Sequence, residues 1–142
     1  MNTAVFYEVL ETTNAIALAT SVDNIPNVRI VNFCYDKNRP GVLYFTSDRE
    51  NQKVKEFTIN PRVAFTTIPR GDESIAHVRS CRAVVRKSDL ALSEVQEAFI
   101  SRIPGYDETI AAIGESLDVF EIQVQEATVI LGFDSVQTVN FE

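Results

Sequence analysis

The sequence predicts a mainly β chain: an antiparallel β-barrel of about six to seven strands with a few helices. Three observations predict it. Apolar segments of strand length recur along the chain, turn chemistry separates them at near-regular spacing, and helix-like periodicity is confined to short stretches between them. With 142 residues, 45% of them hydrophobic, the chain is too apolar to be disordered and long enough to bury one core without metals or disulfides. One domain, 1–142, is expected.

Each element follows in order. Residues 3–11 read as an amphipathic helix with Val5, Phe6, Val9 and Leu10 on one side. Residues 15–22 form a first strand, and Asp23-Asn24-Ile25-Pro26 is turn chemistry. In a second strand over 27–35, alternation puts Val28, Ile30, Asn32 and Cys34 on one face and Arg29, Val31, Phe33 and Tyr35 on the other. A polar turn from Asp36 to Gly41 leads to a third strand, 42–46. Ser47 or Asp48 is expected to cap a helix reaching Thr58, anchored by Val54 and Phe57 and ended by Asn60-Pro61. Residues 62–68 are a fourth strand, 69–73 a turn containing Asp72-Glu73, and 74–87 a long bent fifth strand. Ser88 or Asp89 is expected to cap a helix running to about Arg102, which Pro104-Gly105 breaks. A short helix over 107–114 and two last strands, 118–125 and 127–133, complete the chain.

Composition narrows the function classes. The net charge of −7 argues against a broad basic surface for nucleic acid. No apolar run is long enough for a membrane-spanning helix. The first residues lack a basic region and carry Glu8 and Glu11, so a secretory signal is not expected. Cys34 and Cys81 make no disulfide framework and no Cys-x-x-Cys pattern, and a reducing cytoplasm is the expected home. Charge is unevenly distributed: residues 29–87 carry net +6, while 103–142 hold eight acids and no Lys or Arg. Salt screens charges over about 8 Å, so a local cluster of cations in the middle segment can still take a small anion. The competing reading is that basic strands simply pair with acidic ones.

The chemistry sits in Arg29 and the stretch Tyr44-Phe45-Thr46-Ser47-Asp48-Arg49-Glu50-Asn51-Gln52-Lys53. A strand ends in two hydroxyls, a polar turn follows, and Lys53 lies in the first turns of a helix; together these favour an anion such as phosphate. Each piece also has a structural reading, as a helix cap, a solvated lysine or an arginine with a protein partner.

Three segments resemble the pyridoxamine-phosphate-oxidase-like proteins, the split β-barrels that bind flavin mononucleotide (FMN): Ile16-Ala17-Leu18-Ala19-Thr20 with Pro26-Asn27-Val28-Arg29-Ile30-Val31, Leu43 to Val54, and Asn60-Pro61-Arg62-Val63-Ala64-Phe65. Their order and spacing carry the resemblance. It implies an FMN-type split barrel. Arg29 and Lys53 would then contact the phosphate, with Ser47 and Thr46 as hydroxyls beside it, and Ile30 and Val31 would line the ring. Two positions depart from the pattern. Gln52 stands where the family usually has an Arg, and Cys81 lies near a customary Gly of the fifth strand. The substrate-binding residues of the vitamin B6 oxidases find no match in 118–142, so pyridoxamine-phosphate oxidation itself is not expected. The resemblance implies a cytoplasmic homodimer with flavin sites between subunits, acting as a small oxidoreductase with a nicotinamide or deazaflavin donor. A non-catalytic flavin or haem binder, storage protein or sensor of the same fold is the alternative. FMN is the expected cofactor, with FAD, a deazaflavin or haem as alternatives. No catalytic side chain and no metal centre are singled out, since the cofactor would carry the electron chemistry.

Other residues read as structural first. His77 is the sole histidine, placed in a strand. Cys34 and Cys81 read as packed thiols, and Asp107-Glu108 as a pair too isolated for a metal. The aromatics Phe33, Tyr35, Tyr44, Phe45, Phe57 and Phe65 read as core. Tyr106, in a Pro-Gly-Tyr loop, is a mobile candidate for covering a site or meeting a second subunit.

Overall fold

The computed structural model describes residues 3–71 and 75–141. Its elements run α1 (Ala4–Glu11), β1 (Ala15–Val22), β2 (Ile25–Asn32), β3 (Cys34–Tyr35), β4 (Val42–Asp48), α2 (Gln52–Ile59), β5 (Arg62–Thr67), β6 (His77–Lys87), α3 (Leu92–Arg102), α4 (Tyr106–Ile113), β7 (Leu117–Gly132) and β8 (Ser135–Asn140). The strands form one antiparallel sheet in the order β2-β1-β5-β6-β7-β4-β3, with β8 on β7. β2 and β3 are nearly continuous, broken only at Phe33, yet they lie at opposite ends of this order. Residues 25–32 pair with β1, and Cys34-Tyr35 pair with β4. The segment therefore curls the sheet back on itself, and a two-residue ladder closes the barrel. The fold is the expected split barrel.

Local chemistry explains where the boundaries fall. Asp23 and Asn24 both take positive φ, 52° and 63°, making a two-residue hairpin turn with Val22 opposite Ile25. The turn is thus tighter than 23–26, and Pro26 sits inside β2. The helix cap expected at Ser47 or Asp48 is instead Asn51, whose Oδ1 accepts from Lys53 N at 3.0 Å. Ser47 and Asp48 remain in β4. Ser88 Oγ accepts from Leu90 N at 3.1 Å, but α3 starts later, where Glu94 turns back to accept from Ala91 N at 2.7 Å. The two strands expected over 118–125 and 127–133 are one 16-residue strand, β7. It pairs with β4 through residues 117–123, with β6 through 120–130 and with β8 through 126–132. β8 was not anticipated. The turn residues Asp72-Glu73, with Ser74, lie outside the described residues.

The barrel interior holds Ile16, Leu18, Val31, Phe33, Leu43, Phe45, Val78, Ile122 and Val129. Helices deliver Phe6 and Leu10 from α1 and Phe57 from α2 into this core. Phe57 meets Phe45 and Phe120 edge-on at 6.0 and 5.1 Å. Outside the barrel, α3 and α4 bury Phe99, Ile103 and Tyr106 against Cys34, Tyr44 and Val119. A different outer surface, across β2, β1, β5 and β6, is left open. Register aligns its outward residues in rows, Ile30–Ala17–Thr66–Arg79 and Val28–Ala19–Ala64. Val28 and Ile30 are 63% and 68% exposed there.

Candidate cofactor-binding site

Arg29 lies on β2 with its side chain toward α2 and largely buried. Its Nη1 donates to the Leu18 carbonyl at 3.1 Å and to Thr20 Oγ1 at 2.9 Å, and its Nη2 donates to Glu56 Oε1 at 2.5 Å. The Thr20 hydroxyl in turn donates to Glu56 Oε1 at 2.6 Å, closing a ring of three side chains. Asn27 and Gln52 donate to Glu56 Oε2 at 3.1 and 3.3 Å. Hydrogen bonds from Thr20, Asn27, Arg29 and Gln52 hold the Glu56 carboxyl near 2, so it is ionised in neutral solution. Sequence reasoning missed Thr20, Asn27 and Glu56. A partial signal was present: Asn27 shares Arg29's face of β2, and Glu56 follows Gln52 by one helical turn.

Lys53 is half-buried at the start of α2. Burial and the Arg29 charge lower its pKa, while Asp48 partly opposes them. It makes no ion pair among the described residues. The structure thus brings Arg29, Gln52 and Lys53 to one corner. The other sequence-named residues disperse. Ser47 is buried, and its hydroxyl donates to the Asp48 carbonyl at 3.0 Å. Thr46 points to the opposite face of β4, where it hydrogen-bonds the Tyr106 hydroxyl. Val31 packs in the barrel interior, and Ile30 stands on the open outer face.

The charge of this corner decides what it can hold. Arg29 is matched by Glu56, whereas Lys53 and Lys55 make no ion pair among the described residues. The donor set fits an anionic tail, with the Glu56 carboxylate as a competing negative charge. A cleft of about 430 Å³ opens beside Glu56, bordered by Asp23, Pro26, Asn27, Gln52, Lys55 and Ile59.

A second depression of about 430 Å³ lies on the open face, lined by Ala17, Ala19, Val28, Ala64 and Cys81. β6 carries an extra residue here relative to both neighbours: three steps from Arg79 to Arg82 oppose two on β7. Ser80 fills the bulge, its hydroxyl donating to the Glu126 carbonyl at 2.5 Å and accepting from Arg82 N at 3.0 Å. A serine hydroxyl therefore supports the irregularity, one residue before Cys81.

The remaining candidates resolve as follows. Tyr106 is no mobile loop residue. It is buried at the start of α4, stacked on Phe99 at 5.1 Å and bonded to Thr46. Cys34 is buried, and burial pushes its thiol up to about 12, which leaves it inert. Asp107 and Glu108 occupy the first turn of α4, and no group of three metal-ligating side chains exists among the described residues.

Known proteins show the same fold. The chain resembles a haem-binding protein from Mycobacterium smegmatis with a TM-score of 0.68 and 16% identity, over 93% of this chain and 55% of that one. It therefore spans about half of that relative's length. A NimC/NimA family protein from Clostridium acetobutylicum superposes with a TM-score of 0.71 and 19% identity, over 96% of this chain and 90% of that one. An FAD-binding protein from Mesorhizobium loti superposes with a TM-score of 0.67 and 17% identity, over 91% and 94%. No curated protein matches the sequence. The pyridoxamine 5'-phosphate oxidase-like family model matches residues 9–135, most of the chain, and the protein belongs to that family.

Proposed function

We propose that the chain is a homodimeric flavin-binding redox protein that passes electrons to a small-molecule acceptor. The observation that carries this reading is the convergence of Arg29 and Lys53, from β2 and α2, at one corner of the barrel. Lys53 and Arg29 would hold the flavin's charged tail, and exposed Ile30 offers an apolar contact for its ring. Bound flavin supplies one- and two-electron transfer at that ring. This chain's side chains anchor the tail and keep water from one ring face. Small outward residues, Ala17, Ala19 and Ala64, let a second copy lie close against the sheet and complete the site. The absorption spectrum of the purified protein, with mass identification of the released ligand, tests the reading. A flavin spectrum bleached by a nicotinamide or deazaflavin donor supports it. A colourless protein that takes up no added flavin contradicts it.

A second reading, a non-catalytic haem store, rests on His77. Its Nδ1 lies 2.8 Å from the Ile75 carbonyl and must donate there, which leaves Nε2 with a free lone pair. Apolar Ile130, Phe133 and Val136 border the same cleft. Haem titration would show a Soret shift that His77→Ala abolishes.

A further inference from the structure

We infer that Phe133, at the tip of the β7–β8 hairpin, is a knob that enters the apolar depression on the open face of a second copy, and that the exchange is mutual. The inference rests on the homodimer of the first reading above and deepens it by naming the residues that meet.

The hairpin turn builds the knob. Gly132 pairs with Ser135, which leaves Phe133 and Asp134 at the tip. Phe133 is 98% exposed, with Ile75, Leu131 and Val136 exposed around it. Single exposed apolar residues are ordinary on a protein surface, but a phenyl ring held wholly in water within such a cluster marks a contact site. Register fixes the face that carries it. His77, Ile130 and Val136 lie side by side, two residues along from the row Arg79, Thr128 and Thr138. Phe133 borders the cleft over His77, Ile130 and Val136, so it stands on the open outer face.

The hole is on that same face. Ala17, Ala19, Ala64 and Val28 line the depression of about 430 Å³, and their short side chains leave room for a ring. Thr128, at its edge, precedes Phe133 by a strand length of roughly 15 Å, so knob and hole stand apart on one surface. A twofold axis between them lets each copy fill the other's hole, which closes the pair and leaves no free knob to start a filament.

Charge agrees with shape. Asp134, exposed beside Phe133, gives the knob a negative charge. The rim of the hole carries Arg79 and Arg82 and one acid, Glu126. An aromatic anchor seated in a pocket, with opposite charge at the rim, is the arrangement that dominates contacts between proteins. Ile30 lies opposite Ala17, so the inserted phenyl lands beside the proposed contact for the flavin ring and shields it from water.

The test combines sedimentation over a dilution series with cross-linking. Phe133→Ser is expected to raise the dimer dissociation constant about a hundredfold, roughly tenfold for each of two phenyl groups returned to water, and Asp134→Lys is expected to raise it less. Both residues are exposed, so neither change touches the core. In Phe133→Cys, a short bis-maleimide is expected to join the new thiol to Cys81 of the second copy, which lines the hole, while buried Cys34 stays out of the reaction. The covalent dimer should appear on a denaturing gel and vanish when Cys81→Ser is added. A Phe133→Ser protein that dimerises as tightly as the wild type overturns the inference and leaves the homodimer standing. So does a cross-link that fails to form, or one that survives Cys81→Ser. A wild-type protein that is monomeric throughout the series ends the homodimer reading as well.

Discussion

Glu56 and Glu121 are both carboxylates gripped by arginine, and they stand on opposite sides of what a charge can do in this barrel. Glu121, on β7, is 1% exposed. It accepts from Arg39 at 2.8 and 3.3 Å and from Ser88 at 2.7 Å, with Arg86 3.3 Å away. Burial works against its charge, but the bonds from Arg39 and Ser88 and the charges of Arg39 and Arg86 outweigh it and hold the carboxyl below the usual range. This cluster ties the β3–β4 turn, the end of β6 and the approach to α3 onto one strand. Glu56 makes as many bonds, but at an edge beside a half-buried lysine and an open cleft. The same chemistry is a structural pin where the carboxylate itself is enclosed, and lies within reach of a ligand where the cleft opens beside it.

The largest effect should separate the two acids by stability. Glu121→Ala removes a buried carboxylate and leaves the Ser88 hydroxyl without its acceptor, while Arg39 and Arg86, 40% and 46% exposed, can turn to water; the loss should be about 1–3 kcal/mol. Urea unfolding should show that loss, whereas Glu56→Gln, which keeps the side chain's volume at an open edge, should lose less. Equal losses would erase the distinction.

The two outer faces differ as the two acids do. One is sealed by α3 and α4, and the other is proposed to be sealed by a second copy. A charge placed among the small residues of the open face, as in Ala19→Glu, should convert a dimer into a monomer by light scattering. A dimer that survives would place the subunit contact elsewhere.

A gentler test uses pH. The Glu56 carboxyl is depressed to about 2, below its unfolded value of roughly 4.3, so its contribution to stability is full above about pH 4. That contribution should fade as pH drops through 2. The wild-type and Glu56→Gln unfolding midpoints, compared from pH 6 down to pH 2, should converge at the acid end. A gap that widens instead would contradict the bonding described.

The smallest effect concerns the thiols. Cys34 lies under α3 and should resist thiol reagents in the native protein, while Cys81 is exposed on the open face. Cys81 should react faster in Ala19→Glu than in the wild type, because the second copy no longer shields it. Identical rates would argue against that shielding.

How much of this was legible in the sequence depends on how local each signal is. β1, α3 and the Arg29–Lys53 corner were legible, because apolar spacing and a strand–turn–helix pattern are written over a few residues. The division of β7 into two strands failed because Gln125-Glu126 looked like a boundary, whereas pairing with β4, β6 and β8 carries the strand through it. β8 was missed as a short, mostly polar segment whose two valines, Val136 and Val139, fall on opposite faces, stabilised by β7 rather than by its own apolarity. Glu56 was invisible as a partner of Arg29 because only the packing of α2 against β1 brings them together. The separation of Thr46 from Ser47 was there to be read: adjacent strand residues face opposite ways, and the structure follows that rule.

The claim on which the account rests is that Lys53 and Arg29 receive a charged flavin tail. Lys53→Ala tests it most directly, because Lys53 has no ion-pair partner among the described residues whose loss would confuse the result. The account predicts about tenfold weaker binding of FMN, from the loss of one charge-assisted hydrogen bond, and unchanged binding of riboflavin. Equal FMN affinity in Lys53→Ala and the wild type would contradict it.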